Sequence, residues 1–118
     1  MGKQRLLNKS LVAMYDAMND LTTTSNSYVD VGTWDCMLLK TKAFLFTAST
    51  NNLLVQILGS IDGGASYPYT AVNEFSVTTT AAVTKEITSY YTNLKVQVKP
   101  AVSGQNGKLS TYYAGASF

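Results

Sequence analysis

An all-β domain, a sandwich or a barrel, is what this sequence predicts, and three observations carry the prediction. Alternation of apolar and polar residues with a period of two recurs along the chain, the pattern of strands with one buried face. Turn-forming clusters of Gly, Asn, Ser and Pro separate these stretches, about one for every 10–15 residues. Only 14% of the residues are charged, beside 26 Ser and Thr, whereas roughly 25% charge is usual in a soluble domain. Neutral hydroxyl residues thus occupy surface that a helical bundle fills with Lys and Glu. The length of 118 residues matches one domain, since single domains commonly run about 100–150 residues. An apolar share of 46% supplies a core and excludes a disordered chain.

Residues 1–9 carry Lys3, Arg5 and Lys9 with no acid and show no strand period. They read as an N-terminal arm ahead of a domain over residues 10–118. The first segment of that domain supports two readings. Leu7, Leu11, Met14, Met18 and Leu21 fall at helical spacings of 4, 3, 4 and 3, with Ser10 placed as an N-cap. Leu11, Ala13, Tyr15 and Ala17 also alternate as a strand would.

Beyond this point every segment reads as strand or turn. Tyr28–Val31 is a short strand closed by Gly32. Residues 34–47 form an apolar-rich run in which Cys36, Leu38, Phe44 and Phe46 share one face, interrupted by Lys40 and Lys42. Thr50-Asn51-Asn52 is a turn. Leu53–Ile61 is apolar enough for a central strand, and Asp62-Gly63-Gly64 closes it with residues that tolerate positive φ. The next strand, Ala71–Thr78, has Val72, Phe75 and Val77 as its apolar members. Thr78–Thr80 is a polar bridge to the short, half-exposed Val83–Thr88. Leu94–Lys99 is the cleanest alternation in the chain and stops at Pro100, which cannot donate to a ladder. Ser103–Gly107 is a turn, and Lys108–Ala114 is a final strand rich in Tyr.

The composition also bounds the chemistry. The sequence contains no His, the commonest general base and metal ligand. Cys36 is the sole cysteine, so no internal disulfide forms, and its apolar neighbours predict a buried, inert thiol. The seven acidic residues are scattered with no dyad spacing. No catalytic residue, metal site or cofactor is expected. A single Arg and a net charge of +2 argue against direct nucleic-acid binding. No apolar stretch is long enough for a signal peptide or a membrane span, which predicts a soluble protein made in a reducing compartment. Gly2 lacks the hydroxyl residue that myristoylation needs, since Leu6 stands there.

Two local features are weighed against plainer readings. The Gly59–Tyr67 stretch around Asp62 has one carboxylate, too few for an EF-hand-like cation loop, and is a hairpin turn. The tyrosines Tyr67, Tyr69, Tyr90 and Tyr112 are candidate interface aromatics, because a tyrosine ring is stiff and amphipathic. Sugar stacking is the competing use of such rings, and ordinary packing is the plainer one.

The order of motifs resembles the small single-domain β-sandwich structural proteins of tailed-phage virions. The residues that carry it are Leu11-Val12-Ala13-Met14-Tyr15-Asp16-Ala17, Tyr28-Val29-Asp30-Val31-Gly32-Thr33-Trp34, Leu54–Gly64, Leu94-Lys95-Val96-Gln97-Val98 and Gly104–Gly115. The resemblance covers residues 10–115 and implies a jelly-roll-like antiparallel sandwich of about eight strands. It makes residues 10–18 extended, ends a central strand at the Gly-Ser-x-Asp-Gly run, and pairs the last two strands as a hairpin. It further implies a virion structural protein, a capsid decoration or cement protein in the leading case, made in the host cytoplasm and located on the virion. Its partners would be the major capsid protein or other virion proteins, with a homo-oligomer expected and no membrane partner. The arm residues Lys3, Arg5, Leu6, Leu7 and Lys9 are the candidate lattice contacts. The alternatives are a carbohydrate-binding or host-adhesion module on a head or tail fibre, whose partner would be a glycan, and a tail or neck accessory protein.

Overall fold

A computed structural model describes residues 13–21, 27–37 and 39–116, the first stretch as backbone alone. Eight strands run in order: β1 (Ala13–Leu21), β2 (Val29–Asp35), β3 (Thr41–Ser49), β4 (Leu53–Ser60), β5 (Tyr69–Val77), β6 (Val83–Ile87), β7 (Asn93–Pro100) and β8 (Gly107–Ala116). They form two four-stranded antiparallel sheets, ordered β1-β8-β3-β6 and β2-β7-β4-β5. The chain changes sheet at every connection except β4–β5, and this nesting is the eight-stranded jelly roll. Among the described residues there is no helix, and so none long and apolar enough to cross a membrane.

The alternation read in the sequence sets which side chains face inward. On β7, Leu94, Val96 and Val98 are buried, and they meet Leu53, Val55 and Ile57 of β4 across the ladder or one row away. Phe44 and Phe46 of β3 and Leu109 and Tyr113 of β8 close the core from the opposite sheet. Phe44 is its hub. Its ring lies edge-on to Trp34 at 5.2 Å and tilted to Tyr113 at 4.9 Å. Such aromatic pairs add about 0.5–1.5 kcal/mol beyond the area they bury.

Three expectations need correction. β2 runs through Gly32 rather than ending there, because a bulge between Asp30 and Gly32 absorbs the irregularity. Residues 34–47 do not form one run. β2 stops at Asp35, and a turn in which the Leu39 N–H donates to the Cys36 carbonyl carries the chain into the other sheet. Lys42 then falls on the inward row of β3 and is fully buried; Leu38 lies outside the described residues. Finally, β7 and β8 are not a hairpin. Each is already flanked on both edges in its own sheet, β7 by β2 and β4, β8 by β1 and β3. Periodicity shows that a strand has a buried face but not which sheet it joins.

The extended reading of the first segment holds over Ala13–Leu21, which pairs with β8 residue by residue from Ala13–Gly115 to Leu21–Gly107. The other sheet edges are short or irregular. β2 and β5 carry bulges and β6 has five residues, devices that discourage edge-to-edge pairing.

Candidate functional site

Three loops meet at one end of the sandwich: 36–40, 61–68 and 88–92. They are tied by backbone bonds, with the Cys36 N–H donating to the Thr92 carbonyl at 2.9 Å and the Thr92 N–H to the Ser60 carbonyl at 2.8 Å. Gly63 and Gly64 take positive φ of 76° and 91°, which glycine adopts without steric cost. That turn lets the Gly63 N–H reach Thr92 Oγ1 at 3.0 Å and the Gly64 N–H reach Ser60 Oγ at 3.0 Å. Asp62 accepts from the Ser60 hydroxyl at 2.6 Å, the Ser66 N–H at 3.1 Å and the Ser66 hydroxyl at 2.7 Å. These bonds, led by Ser60, hold its carboxyl at about 2, below the usual 3.8. Both carboxylate oxygens are engaged in building the loop, as the turn reading of this stretch requires.

On this rigid frame stand four exposed apolar side chains, Met37, Ile61, Tyr69 and Tyr90, with Tyr90 the most exposed at 64%. An open cleft of about 360 Å³ lies beside Tyr90, between Leu39, Lys40 and Thr88. Beneath them the end is sealed. The Cys36 thiol is buried, donates to the Tyr91 carbonyl at 3.4 Å and is pushed up by burial to about 11. The thiolate that would react is thereby suppressed.

A second surface, the outer face of the β2-β7-β4-β5 sheet, carries Leu54 and Leu58 of β4 among polar side chains that pair with one another. Asp30 accepts from Gln97 Nε2 at 2.8 Å, and Gln97 accepts from Gln56 Nε2 at 2.7 Å. Lys95 sits 3.6 Å from Asp30 and 4.5 Å above the Tyr67 ring. Lys99 sits 3.5 Å from Glu74 and 4.7 Å above the Tyr28 ring. The Tyr28 hydroxyl donates to Glu74, which lowers the Glu74 pKa, while burial followed by Glu74 itself raises that of Tyr28. Each charge is spent within the face.

The outer face of the other sheet differs. Thr41, Ala43, Leu45, Thr47 and Ser49 on β3 and Ser110, Tyr112, Ala114 and Ala116 on β8 point outward. These nine residues are uncharged, but Lys108 continues the outward row of β8 and Glu86 of β6 stands opposite Ala43.

The sequence-predicted tyrosines therefore separate. Tyr69 and Tyr90 stand at the loop end, Tyr67 is half-buried under Lys95, and Tyr112 lies on the outer face of the β1-β8-β3-β6 sheet. Lys3, Arg5, Leu6, Leu7 and Lys9 lie outside the described residues. Sequence reasoning missed Met37, which sits in an apolar run, and Ile61, which it placed at the end of a central strand. It also missed the Tyr28–Glu74–Lys99 group, although the alternation of β7 had already turned Lys95, Gln97 and Lys99 outward. Among the described residues no group of three or more His, Cys, Asp or Glu gathers as a metal site.

No protein-family model matches the chain, and no curated protein matches it. Solved structures do share the architecture. A Bacillus endospore appendage protein, from a family of disulfide-linked pili, aligns at 12% identity and a TM-score of 0.52 over 92% of this chain and 89% of that one. PirA aligns at 12% identity and 0.54 over 85% and 92%. YomS, derived from the SPBc2 prophage, aligns at 8% identity and 0.52 over 89% and 96%. At such identities the likeness is one of fold: this is a single jelly-roll domain, similar along nearly its whole length to others of its size.

Proposed function

We propose that this chain is a virion structural protein that decorates the outer surface of an assembled tailed-phage head and stabilises it, with no catalytic step of its own. The observation that carries the reading is the gathering of Met37, Ile61, Tyr69 and Tyr90 on a loop end locked by backbone and Asp62 hydrogen bonds. Exposed apolar side chains grouped on a rigid platform mark a contact surface. Tyrosine is favoured there because it brings much area with little lost side-chain freedom. The sequence resemblance to phage virion proteins supplies the partner, a capsid lattice. A protein that binds only the assembled lattice stabilises it by mass action, and weak contacts repeated over many sites add through multivalency.

The test is the protein content and mechanical resistance of purified heads. Near-stoichiometric copies on heads, earlier bursting of heads that lack the protein, and lower occupancy for Tyr90→Asp and Ile61→Asp support the reading. Intact head stability with loss of host adsorption overturns it and favours the adhesive alternative, in which Tyr69 and Tyr90 stack on sugar rings.

A further inference from the structure

We propose that the cleft beside Tyr90 is a docking site for a protein segment that presents a carboxylate next to an apolar side chain, with the buried Lys42 holding one wall of the cleft in place. The inference rests on reading this end of the sandwich as the contact surface, and it names the chemistry of the partner.

The cleft, about 360 Å³, opens between residues 39–40 and 88–90, where Leu39, Lys40, Thr88 and Tyr90 line it among the described residues. Both walls are fixed from beneath. On the first, the Leu39 N–H donates to the Cys36 carbonyl at 3.1 Å and the Lys40 N–H to the Ala116 carbonyl at 2.9 Å. Leu39 also packs so closely on Gly115 that a Cβ built there would stand 2.4 Å from its Cδ1. On the second, the Lys42 ammonium donates to the Ser89 carbonyl at 2.6 Å, midway along the chain between the lining residues Thr88 and Tyr90. A lysine shut away from water costs stability. Here the costly side chain ends on the wall that carries Tyr90, which makes Lys42 a positioning residue for the cleft.

Charge at the rim selects the ligand. Lys42 is engaged with Ser89, Lys85 lies 4.7 Å above the Phe75 ring, Lys95 and Lys99 face Asp30 and Glu74, and Lys108 is engaged as well. Lys40 is exposed, and among the described residues nothing pairs with its ammonium. Asp62 is spent in its own loop, and Asp35 accepts from the Met37 N–H at 3.1 Å. A carboxylate borne on an apolar body fits this arrangement. It gains a charge-assisted hydrogen bond from Lys40, while the apolar part lies against Leu39 and the Tyr90 ring. An acidic sugar fits less well, because its hydroxyls need partners. Beyond Lys40, the lining offers only the Thr88 and Tyr90 hydroxyls as side-chain partners. The volume, at the low end of the roughly 300–1,000 Å³ of ligand sites, suits one or two side chains.

NMR titration of the full chain with acetyl-Phe-Asp-amide tests the site, with acetyl-Phe-Asn-amide, acetyl-Phe-Lys-amide and glucuronate beside it. Amide shifts confined to residues 39–42 and 88–91 are expected, with a millimolar Kd. The Asn peptide should bind about tenfold more weakly, the loss of one charge-assisted contact, and the Lys peptide should not bind. Lys40→Met should weaken the Asp peptide about tenfold, and Lys108→Met should leave it unchanged. Lys42→Met should weaken it about threefold while raising resistance to urea, two effects of opposite sign that general loss of structure does not produce. Equal binding of the three peptides, shifts elsewhere, no shifts up to about 20 mM, or a preference for glucuronate overturns the proposal. A Lys42→Met variant that binds as the wild type does overturns the positioning role. Heads separate this inference from the reading it rests on. Peptide binding without occupancy on heads overturns the virion reading and supports the cleft. Full occupancy on heads by Lys40→Glu, with no peptide binding, overturns the cleft alone.

Discussion

The ammonium group of Lys42 lies 2.6 Å from the carbonyl oxygen of Ser89, on a side chain wholly shut off from solvent. Burial pulls its pKa below the ordinary 10.5, only partly opposed by the nearby Cys36. The unfolded chain therefore holds this proton more tightly than the folded one. Lys42 subtracts stability at neutral pH and subtracts less as pH climbs toward 10.5. Lys42→Met should raise unfolding free energy by about 1–3 kcal/mol near neutral pH, while the Ser89 carbonyl, on an exposed residue, turns to water. The gain should shrink toward about pH 9.5. Urea unfolding of both proteins at the two pH values checks this. A methionine variant less stable at neutral pH would show that the hydrogen bond outweighs the buried charge.

Asp62 works in the opposite direction. Its folded pKa of about 2 lies below the ordinary 3.8, so its contribution is fully present above that ordinary value and is lost as pH falls toward 2. Asp62→Asn keeps an acceptor but removes the titration. Thermal unfolding between pH 5 and pH 2 should show a shallower acid limb for the variant, with a lower starting Tm. Parallel limbs would mean that the Ser60 and Ser66 bonds do not favour the charged carboxylate in solution.

What the sequence disclosed and what it withheld have separate physical causes. The inward row of β7 was legible because a strand with one wet face must alternate, and Leu94, Val96 and Val98 do so. On β5, by contrast, Phe75 and Val77 keep that period and a bulge sets Val72 out of it. The turns at 50–52, 62–64 and 103–107 were legible because their Gly and Asn residues have few other uses; Gly63, Gly64 and Gly104 do take positive φ. Sheet membership was hidden, since β7 and β8 alternate identically whether they pair with each other or cross between layers. Lys42 was misread for a related reason. A lysine breaks an apolar row by type, yet its parity with Phe44 and Phe46 places it inside. Of the candidate tyrosines, exposure could be foreseen for Tyr112 from the burial of its neighbour Tyr113, but not its separation from Tyr69 and Tyr90, which depends on how the sheets stack.

Gly59 is held to glycine by a ring. A Cβ built there would stand 2.3 Å from Cε1 of Tyr91, far inside contact distance. Gly59→Ala must push Tyr91 away from the loop end, where its backbone carbonyl accepts from Cys36 and its ring lies 6.4 Å from that of Tyr69. The expected loss is about 1–3 kcal/mol. Combining it with Tyr91→Ala should give less than the sum of the two single losses, because the clash disappears with the ring. Additive losses in denaturant titrations of the three variants would place the strain elsewhere.

Thr111 presents the converse case, a buried polar atom that no described residue bonds. It is fully buried on β8, between Ala17 of β1 and Phe46 of β3 in the ladders, and among the described residues its hydroxyl has no hydrogen-bond partner. A buried hydroxyl stripped of water and left unsatisfied costs about 1–3 kcal/mol. Valine has nearly the same shape and the same preference for strands. Thr111→Val should therefore stabilise the fold by about 1 kcal/mol and raise Tm by about 3–6 °C. Thr84→Val, at an exposed position of β6, should stay within about 0.5 kcal/mol of the wild type. Calorimetry of the three proteins decides the matter: a destabilised Thr111→Val would mean that the hydroxyl finds a partner in solution, and equal gains at both sites would trace the effect to strand propensity rather than to the release of a buried polar group.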